Sequence, residues 1–360
     1  MIFMHGQCVH ADSMPTTADM ITTTDNYDLT SRNTFAMKVK CGVFMEYTVA
    51  DDIPFILSSI REGIEHMHIG AGSNILFTSD YPGVVMHSAI KGFEIISESP
   101  RGLIVRAGAG EVMDDFIRWA CDHELWGIEN LSGIPGEVGA SAVQNVGAYG
   151  VEACDTIVAV HAYDSVEREF VTIPVEDCDY GYRDSLFKQP DFKGRYIIHA
   201  VDYRLSPIPN PQISYPALKN MFKDCDLCSL TPNDIRKEVI NIRDSKLPNP
   251  IDTPSAGSFF KNPVVSEKRF TDICNKEPDV TVPHYEVKEG YKIPAAWLID
   301  RCGWKGRKEG NAAVWHLQPL VIVNPDRKAT PKEIIDLENQ IICSVRERFG
   351  ITLHPEVEHI

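Results

Sequence analysis

Residues 127–150 read GIENLSGIPGEVGASAVQNVGAYG, and this stretch is the most informative part of the chain. Six glycines are interleaved with Ser132, Ser141, Gln144 and Asn145, and the stretch contains no Lys, Arg or Asp. Glycine lets the backbone approach another group closely, and successive exposed N–H groups form an anion-binding nest without a cationic side chain. The stretch therefore predicts a loop that wraps a phosphate-bearing cofactor. A run of tight turns between strands explains the composition equally well.

The bulk composition limits the class of protein. With 360 residues, of which 43% are hydrophobic and 24% charged, the chain is a globular protein of two or three domains. Its formal net charge of -16 argues against a general nucleic-acid binder, which needs a basic face. An anionic small substrate remains compatible with this charge, provided that cations are concentrated at the site.

The ends and the cysteines predict a cytoplasmic protein. Ten cysteines stand singly except Cys225 and Cys228, a CxxC pair without a second CxxC or a His pair. We interpret them as reduced structural thiols, with a zinc or redox role as the alternative. No run reaches a membrane-spanning length, and the N-terminus lacks the regions of a signal peptide. Residues 1–27 have no periodicity, which predicts a floppy extension.

Hydrophobic periodicity predicts a mixed α and β chain. Predicted strands cover residues 43–49, 93–97, 103–107, 156–162, 169–173, 196–205 and 320–323. Helices are expected from Asp51 to about Ile64, after residue 110, and over residues 232–244 and 294–302. The clearest local signal is the last helix: Thr330 as N-cap, Pro331 at the first position, Glu333 completing a capping box and Gly350 as its end.

Two further glycine turns fail the pattern of a nicotinamide-binding Rossmann domain. Residues 70–74 read GAGSN, but Ile75 stands where the third glycine of GxGxxG belongs. The turn at residues 108–110 fails in the same way, because Met113 occupies that position. Neither turn supports a Rossmann fold.

Three residues are candidates for chemistry. Arg183, flanked by Tyr180 and Tyr182, suits a carboxylate or phosphate clamp; a structural pair with Asp184 is the alternative. Ser258 precedes two phenylalanines and lies in no GxSxG elbow, which favours a proton donor or a ligand contact over a nucleophile; a turn serine is the alternative. Glu356, predicted on a terminal strand, is an acid, base or electrostatic partner, or a surface glutamate.

Other polar residues carry weaker signals. Arg243 and Lys246 are candidate phosphate contacts, although a solvated surface pair explains them as well. His66 and His68 have HxH spacing, but no Asp, Glu or His cluster completes a metal site around them or around His316. We therefore predict no metal.

Taken together, the motifs resemble the UDP-N-acetylenolpyruvoylglucosamine reductase family, the FAD enzymes of peptidoglycan precursor synthesis. The resemblance covers nearly the whole chain after residue 27. In order, it comprises NTF (33–35), GAGSN (70–74), IPGEVGASAVQNVGAYGVE (134–152), GYRDSLFK (181–188), AGSFFKNP (256–263), PAAWLID (294–300) and HPEV (354–357). The segment around Tyr215 is similar to the form of the family that carries a mobile tyrosine loop.

This resemblance implies an α+β fold. Two FAD-binding modules of the vanillyl-alcohol-oxidase type are expected at residues 28–98 and 99–247, and an α+β substrate-binding domain at 248–350. Residues 351–360 would return near the first module. The implied protein is a cytoplasmic monomer that holds FAD non-covalently, uses NADPH as co-substrate and acts on a sugar nucleotide, without nucleic acid or membrane insertion.

The resemblance also assigns roles residue by residue. Arg183 and Glu356 would polarise the enolpyruvyl carboxylate, and Ser258 would protonate C2. Substrate contacts would come from Tyr182, Tyr215, Lys246, Lys261, Asn262 and Gln318. Cofactor contacts would come from Gly70, Ala71, Gly72, Ser73, Asn74, Ile134, Pro135, Gly136, Gly139, Ala140, Ser141, Gln144, Asn145, Gly147, Ala148, Gly150 and Arg243.

Two competing functions remain at this point. An oxygen-using oxidase of the same flavin superfamily often tethers FAD through His or Cys, and the FAD loops of this sequence contain neither. A non-catalytic sugar-nucleotide binding protein would be expected to lack Arg183, Ser258 or Glu356, and all three are present.

Overall fold

A computed structural model describes residues 21–360 of the chain. The first module contains a four-stranded sheet in the order β1-β2-β5-β3, in which β1 and β2 are antiparallel and the other neighbours are parallel. Its elements are β1 (Ile21–Asp28), β2 (Lys40–Tyr47), α1 (Asp52–Ser59), β3 (His66–Ile69), β4 (Ile75–Leu76) and β5 (Tyr81–Ser88).

The second module is a five-stranded antiparallel sheet in the order β11-β10-β12-β7-β6, with helices packed on one face. Its elements are β6 (Phe93–Ser99), β7 (Gly102–Gly108), α2 (Met113–Asp122), α3 (Val138–Gln144), β8 (Gly147–Ala148), β9 (Val151–Glu152), β10 (Ile157–Asp164), β11 (Glu169–Pro174), β12 (Tyr196–Leu205), α4 (Pro216–Met221) and α5 (Pro232–Asp244).

The C-terminal part builds a four-stranded sheet in the order β13-β19-β18-β17 and a smaller one in the order β14-β16-β15. Its elements are β13 (Ser255–Ser258), β14 (Val264–Val265), α6 (Glu267–Lys276), β15 (Tyr285–Val287), β16 (Gly290–Lys292), α7 (Ala295–Arg301), β17 (Lys308–Glu309), β18 (Ala312–Val314), β19 (Val321–Val323), α8 (Pro331–Phe349) and β20 (Glu358–His359). Strand β20 pairs with β4, which brings the chain end back to the first module.

The boundary predicted between a floppy extension and the fold, at residue 27, is wrong for residues 21–27. Residues 21–27 were expected in a floppy extension, but they form β1 and pair with β2 from Ile21 opposite Tyr47 onward. The strand is mostly exposed, with only Ile21 and Tyr27 partly buried. Its sequence therefore shows no clear hydrophobic alternation, and the strand is stabilised by its pairing with β2. Residues 1–20 lie outside the described residues.

The last helix follows its sequence signals. Thr330 accepts a hydrogen bond from the Glu333 backbone while the Glu333 carboxylate accepts one from Thr330, which is the predicted capping box. Gly350 adopts a left-handed φ of 67° and ends the helix. The predicted stripe is fully or almost fully buried at Ile334, Leu337, Ile341, Val345 and Phe349. This helix therefore belongs to the core and does not present a binding face.

Two large hydrophobic clusters form most of the core of the described residues. One lies under the second sheet and includes Phe116, Val160 and Tyr203. The other joins Phe35 and Phe77 of the first module to side chains of α7 and α8 in the C-terminal part. The first module and the C-terminal part therefore share one core. Burial of a large apolar side chain stabilises the fold by about 1.5–3 kcal/mol, so this shared core fixes their contact.

A buried carboxylate joins three strands of the second sheet. Asp202 on β12 accepts two hydrogen bonds from Arg106 on β7, at 2.7 and 2.9 Å, and its Oδ2 lies 2.8 Å from Nε2 of His161 on β10. Burial alone would raise the pKa of Asp202, but these partners outweigh burial and lower it to about 2.

Asp202→Asn is expected to destabilise the protein by about 1–3 kcal/mol at neutral pH, because Arg106 loses its charged partner. A folded-state pKa below the unfolded value of about 3.9 means that the ionised form stabilises the fold above that pH. The difference between wild type and variant should narrow as the pH falls below about 4. Urea unfolding at several pH values measures it, with the exposed Asp191→Asn as control. A pH-independent difference would contradict this assignment.

Candidate active site

Arg183 stands in a tight turn between Gly181 and Asp184, whose backbone groups exchange two hydrogen bonds. Its φ of 56° is unusual for a residue with a side chain, and such strain costs about 1–3 kcal/mol. The side chain is largely buried; its Nε donates to Glu356 Oε1 at 2.9 Å and its guanidinium also donates to the Gly147 carbonyl. The partner of Arg183 is therefore Glu356, and the alternative pair with Asp184 does not form.

Only one of the two flanking tyrosines supports the guanidinium. The Arg183 Cζ lies 5.3 Å from the centroid of the Tyr182 ring, a cation–π contact. Tyr180 instead packs against the core of the second module. The interpretation that both tyrosines support Arg183 is therefore wrong for Tyr180, because its ring is taken up by that core.

Glu356 lies in an irregular segment before β20 and not on a terminal strand as predicted. Pro355 forms a single antiparallel bridge with Phe260, in which the Glu356 N–H donates to the Phe259 carbonyl at 2.8 Å and the His354 carbonyl accepts from the Lys261 N–H at 2.9 Å. Its side chain is 12% exposed, and Oε1 accepts hydrogen bonds from Arg183 and from Gln144 Nε2 at 3.2 Å. The carboxylate is thus held at one oxygen by residues of the second module.

Ser258 ends β13, one residue before the strand meets the Glu356 segment. It is partly exposed, and no described residue hydrogen-bonds to its hydroxyl. The two phenylalanines after it are buried, with exposures of 0% for Phe259 and 1% for Phe260. The predicted apolar backing of Ser258 is therefore present, and the Phe259 carbonyl joins this strand to Glu356. Glu356 therefore contacts Arg183 through its side chain, and its backbone binds the residue that follows Ser258.

A cleft of about 330 Å³ opens beside the Glu356 segment. Its lining residues are Tyr182, Lys261, Asn262, Pro263, Val264, His354 and Pro355. Asn262 donates to the Tyr182 hydroxyl at 3.1 Å and accepts from the Ala295 backbone at 2.8 Å, which fixes its amide. Three residues predicted for substrate contacts, Tyr182, Lys261 and Asn262, thus line one cavity.

The two glycine turns predicted for the cofactor lie against each other. A Cβ on Gly70 would stand 3.0 Å from the Ala140 Cβ, so only glycine allows this approach. Among the described residues, the N–H groups of Ala71, Gly72 and Ser73 donate no hydrogen bond. Residues 127–150 are not a continuous loop, because α3 lies within them. The free N–H groups and the close backbones fit the phosphates of a dinucleotide such as FAD.

A row of hydrogen-bonded ionisable side chains supports the second of these turns through Glu137. The His87 ring lies between two carboxylates, with Nδ1 2.8 Å from Glu46 Oε2 and Nε2 3.0 Å from Glu137 Oε1. Arg32 extends the row by donating to Glu46 at 2.8 Å. His87 and Glu137 are buried. Sequence reasoning missed this cluster, because its members are far apart in the chain and form no motif.

Four further residues predicted to contact the cofactor or the substrate make contacts with other parts of the protein: Arg243, Tyr215, Lys246 and Gln318. Arg243 on α5 donates to the Gly133 carbonyl at 3.1 Å, which ties α5 to the glycine-rich stretch. The Tyr215 ring packs edge-on against Tyr149 at 5.1 Å, next to a small core under α4 and α5. The Lys246 carbonyl accepts from the Trp315 indole at 3.0 Å. Gln318 caps the turn into β19, which pairs with Ser258 of β13.

Residues 21–360 contain no cluster of three or more His, Cys, Asp or Glu side chains that could hold a metal ion. Across the same residues, none of the helices combines the length and the apolar character needed to cross a membrane.

Comparison with known proteins identifies the two halves. Residues 45–168 match an FAD binding domain, and residues 249–360 match the C-terminal domain of UDP-N-acetylenolpyruvoylglucosamine reductase. A UDP-N-acetylenolpyruvoylglucosamine reductase from Bacteroides fragilis (strain YCH46) is 42% identical over 335 residues, 93% of this chain and 99% of the relative. One from Porphyromonas gingivalis (strain ATCC BAA-308 / W83) is 42% identical over 337 residues, 93% and 98% of the two chains.

A crystal structure of UDP-N-acetylenolpyruvylglucosamine reductase from Thermus caldophilus has the same fold. Its TM-score is 0.63 at 21% identity, with 94% of this chain and 98% of that chain covered. The family matches define an FAD-dependent oxidoreductase, and the predicted α+β fold and FAD cofactor are confirmed. The chain belongs to the UDP-N-acetylenolpyruvoylglucosamine reductase family, also called UDP-N-acetylmuramate dehydrogenase, as its motifs indicated.

Proposed function

We propose that this chain reduces the enolpyruvyl group of UDP-N-acetylglucosamine enolpyruvate to give UDP-N-acetylmuramate, with NADPH as the electron source. The observation that carries the proposal is the contact of Arg183 with Glu356 at 2.9 Å. The backbone of Glu356 also binds Phe259, the residue after Ser258. These residues come from three distant parts of the chain. Their convergence next to an FAD-binding cradle supports a reductase over a protein that only binds the nucleotide.

The cofactor would lie on the glycine turns at residues 70–74 and 134–150, with Arg243 behind them. Bound there, FAD would supply hydride transfer from NADPH to the vinyl carbon of the sugar nucleotide. We propose that the two substrates use one site in succession, which agrees with the lack of a Rossmann pattern for NADPH. The chain then has to bind the substrate, exclude water and supply one proton.

Arg183 would bind the enolpyruvyl carboxylate and stabilise the negative charge that develops at C2. Its guanidinium is already oriented by Glu356, by the Gly147 carbonyl and by the Tyr182 ring. A donor fixed in advance in this way is worth about 3–4 kcal/mol in the transition state, because it need not reorganise. Glu356 would keep the guanidinium in place and shape the local field.

Ser258 would deliver the proton to C2. An alcohol is a weak acid in water, but a carbanionic carbon is strongly basic, and a dry pocket removes competing water. The buried side chains of Phe259 and Phe260 support this dryness. The Ser258 hydroxyl is available because no described side chain occupies it as a hydrogen-bond partner.

The nucleotide would be held by residues around the cleft. The cleft is lined by Tyr182, Lys261 and Asn262. The turn at residues 315–321 contains Gln318, and the Lys246 carbonyl accepts from Trp315 of this turn. Tyr215 would close over the phosphates, as in the tyrosine-loop form of the family. In support, the Tyr215 segment lies against the glycine-rich stretch, where Asn130 donates to the Gln212 carbonyl at 2.7 Å. The cations Lys246 and Lys261 offset the overall negative charge of the protein locally.

We also propose the division predicted from the sequence: FAD modules at residues 28–98 and 99–247, with strand β1 added to the first, and a substrate-binding domain at 248–350. The proposed protein is a cytoplasmic monomer. Size-exclusion chromatography with light scattering at several concentrations tests the monomer, and an apparent mass that doubles would contradict it.

One experiment tests the function. The purified protein should show flavin absorbance, which NADPH should bleach under anaerobic conditions. Addition of the enolpyruvyl sugar nucleotide should then restore the absorbance. Absence of flavin would exclude the proposal as a whole. Bleaching without anaerobic recovery would exclude the substrate, and rapid recovery with oxygen alone would favour an oxidase.

Gly147→Ala is expected to lower kcat, because a Cβ there would stand 2.8 Å from Arg183 Nη1 and push the guanidinium away. A displacement of about 1 Å can cost about 10²-fold in rate. The matched control is Gly181→Ala, where the added Cβ would meet only Asp184 at 3.7 Å. Steady-state kinetics measures both. Equal rates for the two variants would show that the position of Arg183 is unimportant.

A further inference from the structure

Lys188 connects the two charged residues of the site, although no role follows from its sequence. Its Nζ donates to the Arg183 carbonyl at 2.9 Å and to Gln144 Oε1 at 2.7 Å. The other end of the same amide, Gln144 Nε2, donates to Glu356 Oε1 at 3.2 Å. One ammonium group therefore contacts the backbone of Arg183 directly and the carboxylate of Glu356 through a single amide.

The donors and acceptors of Lys188 and Gln144 determine which way the hydrogen bonds from Lys188 to Glu356 run. An ammonium has three donors and no acceptor, whereas a glutamine amide has an oxygen at one side and an NH₂ at the other. Charged Lys188 therefore fixes the amide oxygen of Gln144 toward itself and turns the NH₂ toward Glu356. Without the ammonium, the amide is free to flip and to present its oxygen to the carboxylate. The orientation of Gln144 thus depends on Lys188.

The backbone contact acts on a strained position. Arg183 has a φ of 56°, a conformation that persists only where the surroundings hold it. Lys188 approaches this turn from a short 3-10 segment, Leu186–Lys188. The buried Ser185 anchors that segment to α3 by donating to the Val143 carbonyl at 2.6 Å. The ammonium is therefore delivered by a fixed element to the carbonyl of the strained residue.

We propose that Lys188 is a positioning residue of the reduction: it holds the Arg183 turn and, through Gln144, orients Glu356. The carboxylate then accepts two hydrogen bonds at Oε1, from Arg183 and Gln144, and no described donor contacts Oε2. Oε2 is thereby left for the substrate side of the site. This inference rests on the proposed function, because it assigns Lys188 to the step at the enolpyruvyl group.

The charge on Lys188 is sensitive to its surroundings. Burial and the nearby Lys261 lower the pKa of Lys188, and Asp184, Glu356 and Glu358 oppose this change. Lys188 should thus lose its proton at a lower pH than an exposed lysine. Because the proposed role needs the charged ammonium, the rate of the sugar-nucleotide step should fall as the pH rises and Lys188 loses its proton.

The test separates the two half-reactions by stopped-flow absorbance of the flavin. Lys188→Met should slow reoxidation by the sugar nucleotide by about 10²-fold, through kcat and not KM, as expected for a misplaced catalytic group. Flavin reduction by NADPH should be unchanged. Lys188→Arg should retain much of the activity, and its alkaline limb should move to higher pH, since arginine stays protonated.

The matched control is Lys193→Met. Lys193 lies five residues after Lys188 in the chain, is 62% exposed and pairs with Glu358, which accepts no hydrogen bond from Lys188 or Gln144. It removes the same charge and should leave both half-reactions unchanged. Flavin content and circular dichroism verify that the variants fold, and the pH profile of Lys188→Arg keeps the test valid if Lys188→Met does not fold.

Three results would overturn the role of Lys188: reoxidation at the wild-type rate in Lys188→Met, an equal loss in both half-reactions, or an alkaline limb that Lys188→Arg does not move. Failure of the proposed function looks different. In that case the wild-type flavin itself is not reoxidised by the sugar nucleotide, and the inference falls with it.

Discussion

Ser258→Ala is expected to slow the anaerobic reoxidation of the reduced flavin by the sugar nucleotide by about 10²- to 10⁴-fold, the usual contribution of a positioned proton donor. Flavin reduction by NADPH should remain at the wild-type rate, because that step needs no proton at C2. The substitution removes one oxygen atom from a partly exposed position at the end of β13. It creates no buried unpaired group, so the fold should be unaffected.

The structure offers a matched control on the same strand. Ser255→Ala makes the same chemical change three residues earlier in β13, where Ser255 is 1% exposed, whereas Ser258 is partly exposed. Both half-reactions should proceed normally in this variant. Stopped-flow absorbance at the flavin band measures the rates. An equal loss of both half-reactions in Ser258→Ala would exclude Ser258 as the proton donor, since a donor to C2 acts in one of them.

The solvent isotope effect adds a second measurement. If Ser258 donates the proton during the rate-limiting step, reoxidation of the wild-type enzyme should be slower in D₂O. Ser258→Ala, in which another source has to supply the proton, should show a different effect. An isotope effect that is identical in the two proteins would indicate that the hydroxyl takes no part in the transfer.

Local signals in the sequence predicted the regular elements well. The helix α5 was predicted at its observed bounds, and the capping box of α8 is present. Such features depend on residues within one or two turns of each other. The helix α1 ends at Ser59, earlier than predicted, and β1 was missed, because its order depends on a partner strand and not on its own pattern.

The site was predictable only where residues stand in motifs. Arg183, Ser258 and Glu356 are brought together, but their geometry depends on contacts across 173 residues for the first and last of them. Lys188 stands inside the motif GYRDSLFK and was overlooked, because nothing in the sequence indicates that its ammonium reaches Gln144. The His87 cluster has no sequence signal at all, since its four members Arg32, Glu46, His87 and Glu137 lie on separate segments.

Arg183 and Glu356 are expected to act as one unit in the sugar-nucleotide step. Arg183→Met and Glu356→Gln should each slow reoxidation by about 10²- to 10³-fold, the cost of losing one preorganised group. The double variant should lose much less than the product of the two, because Arg183→Met removes the contact at 2.9 Å and Glu356→Gln removes the charge on which that contact depends. Residues that act together show coupling energies of about 0.5–3 kcal/mol in such cycles.

The double-mutant cycle is measured with stopped-flow reoxidation rates for the four proteins, and the proposed roles fix its outcome. If Glu356 works by holding the guanidinium, its substitution costs little once Arg183 is absent. The control cycle uses Lys308 and Asp326, an exposed pair 3.2 Å apart in the C-terminal part, where little rate effect and little coupling are expected. Full additivity for Arg183 and Glu356 would mean that the carboxylate acts on the substrate independently of the guanidinium. Glu356 would then be a separate catalytic group, and the orientation that Lys188 and Gln144 impose on it would matter for its own contact with the substrate.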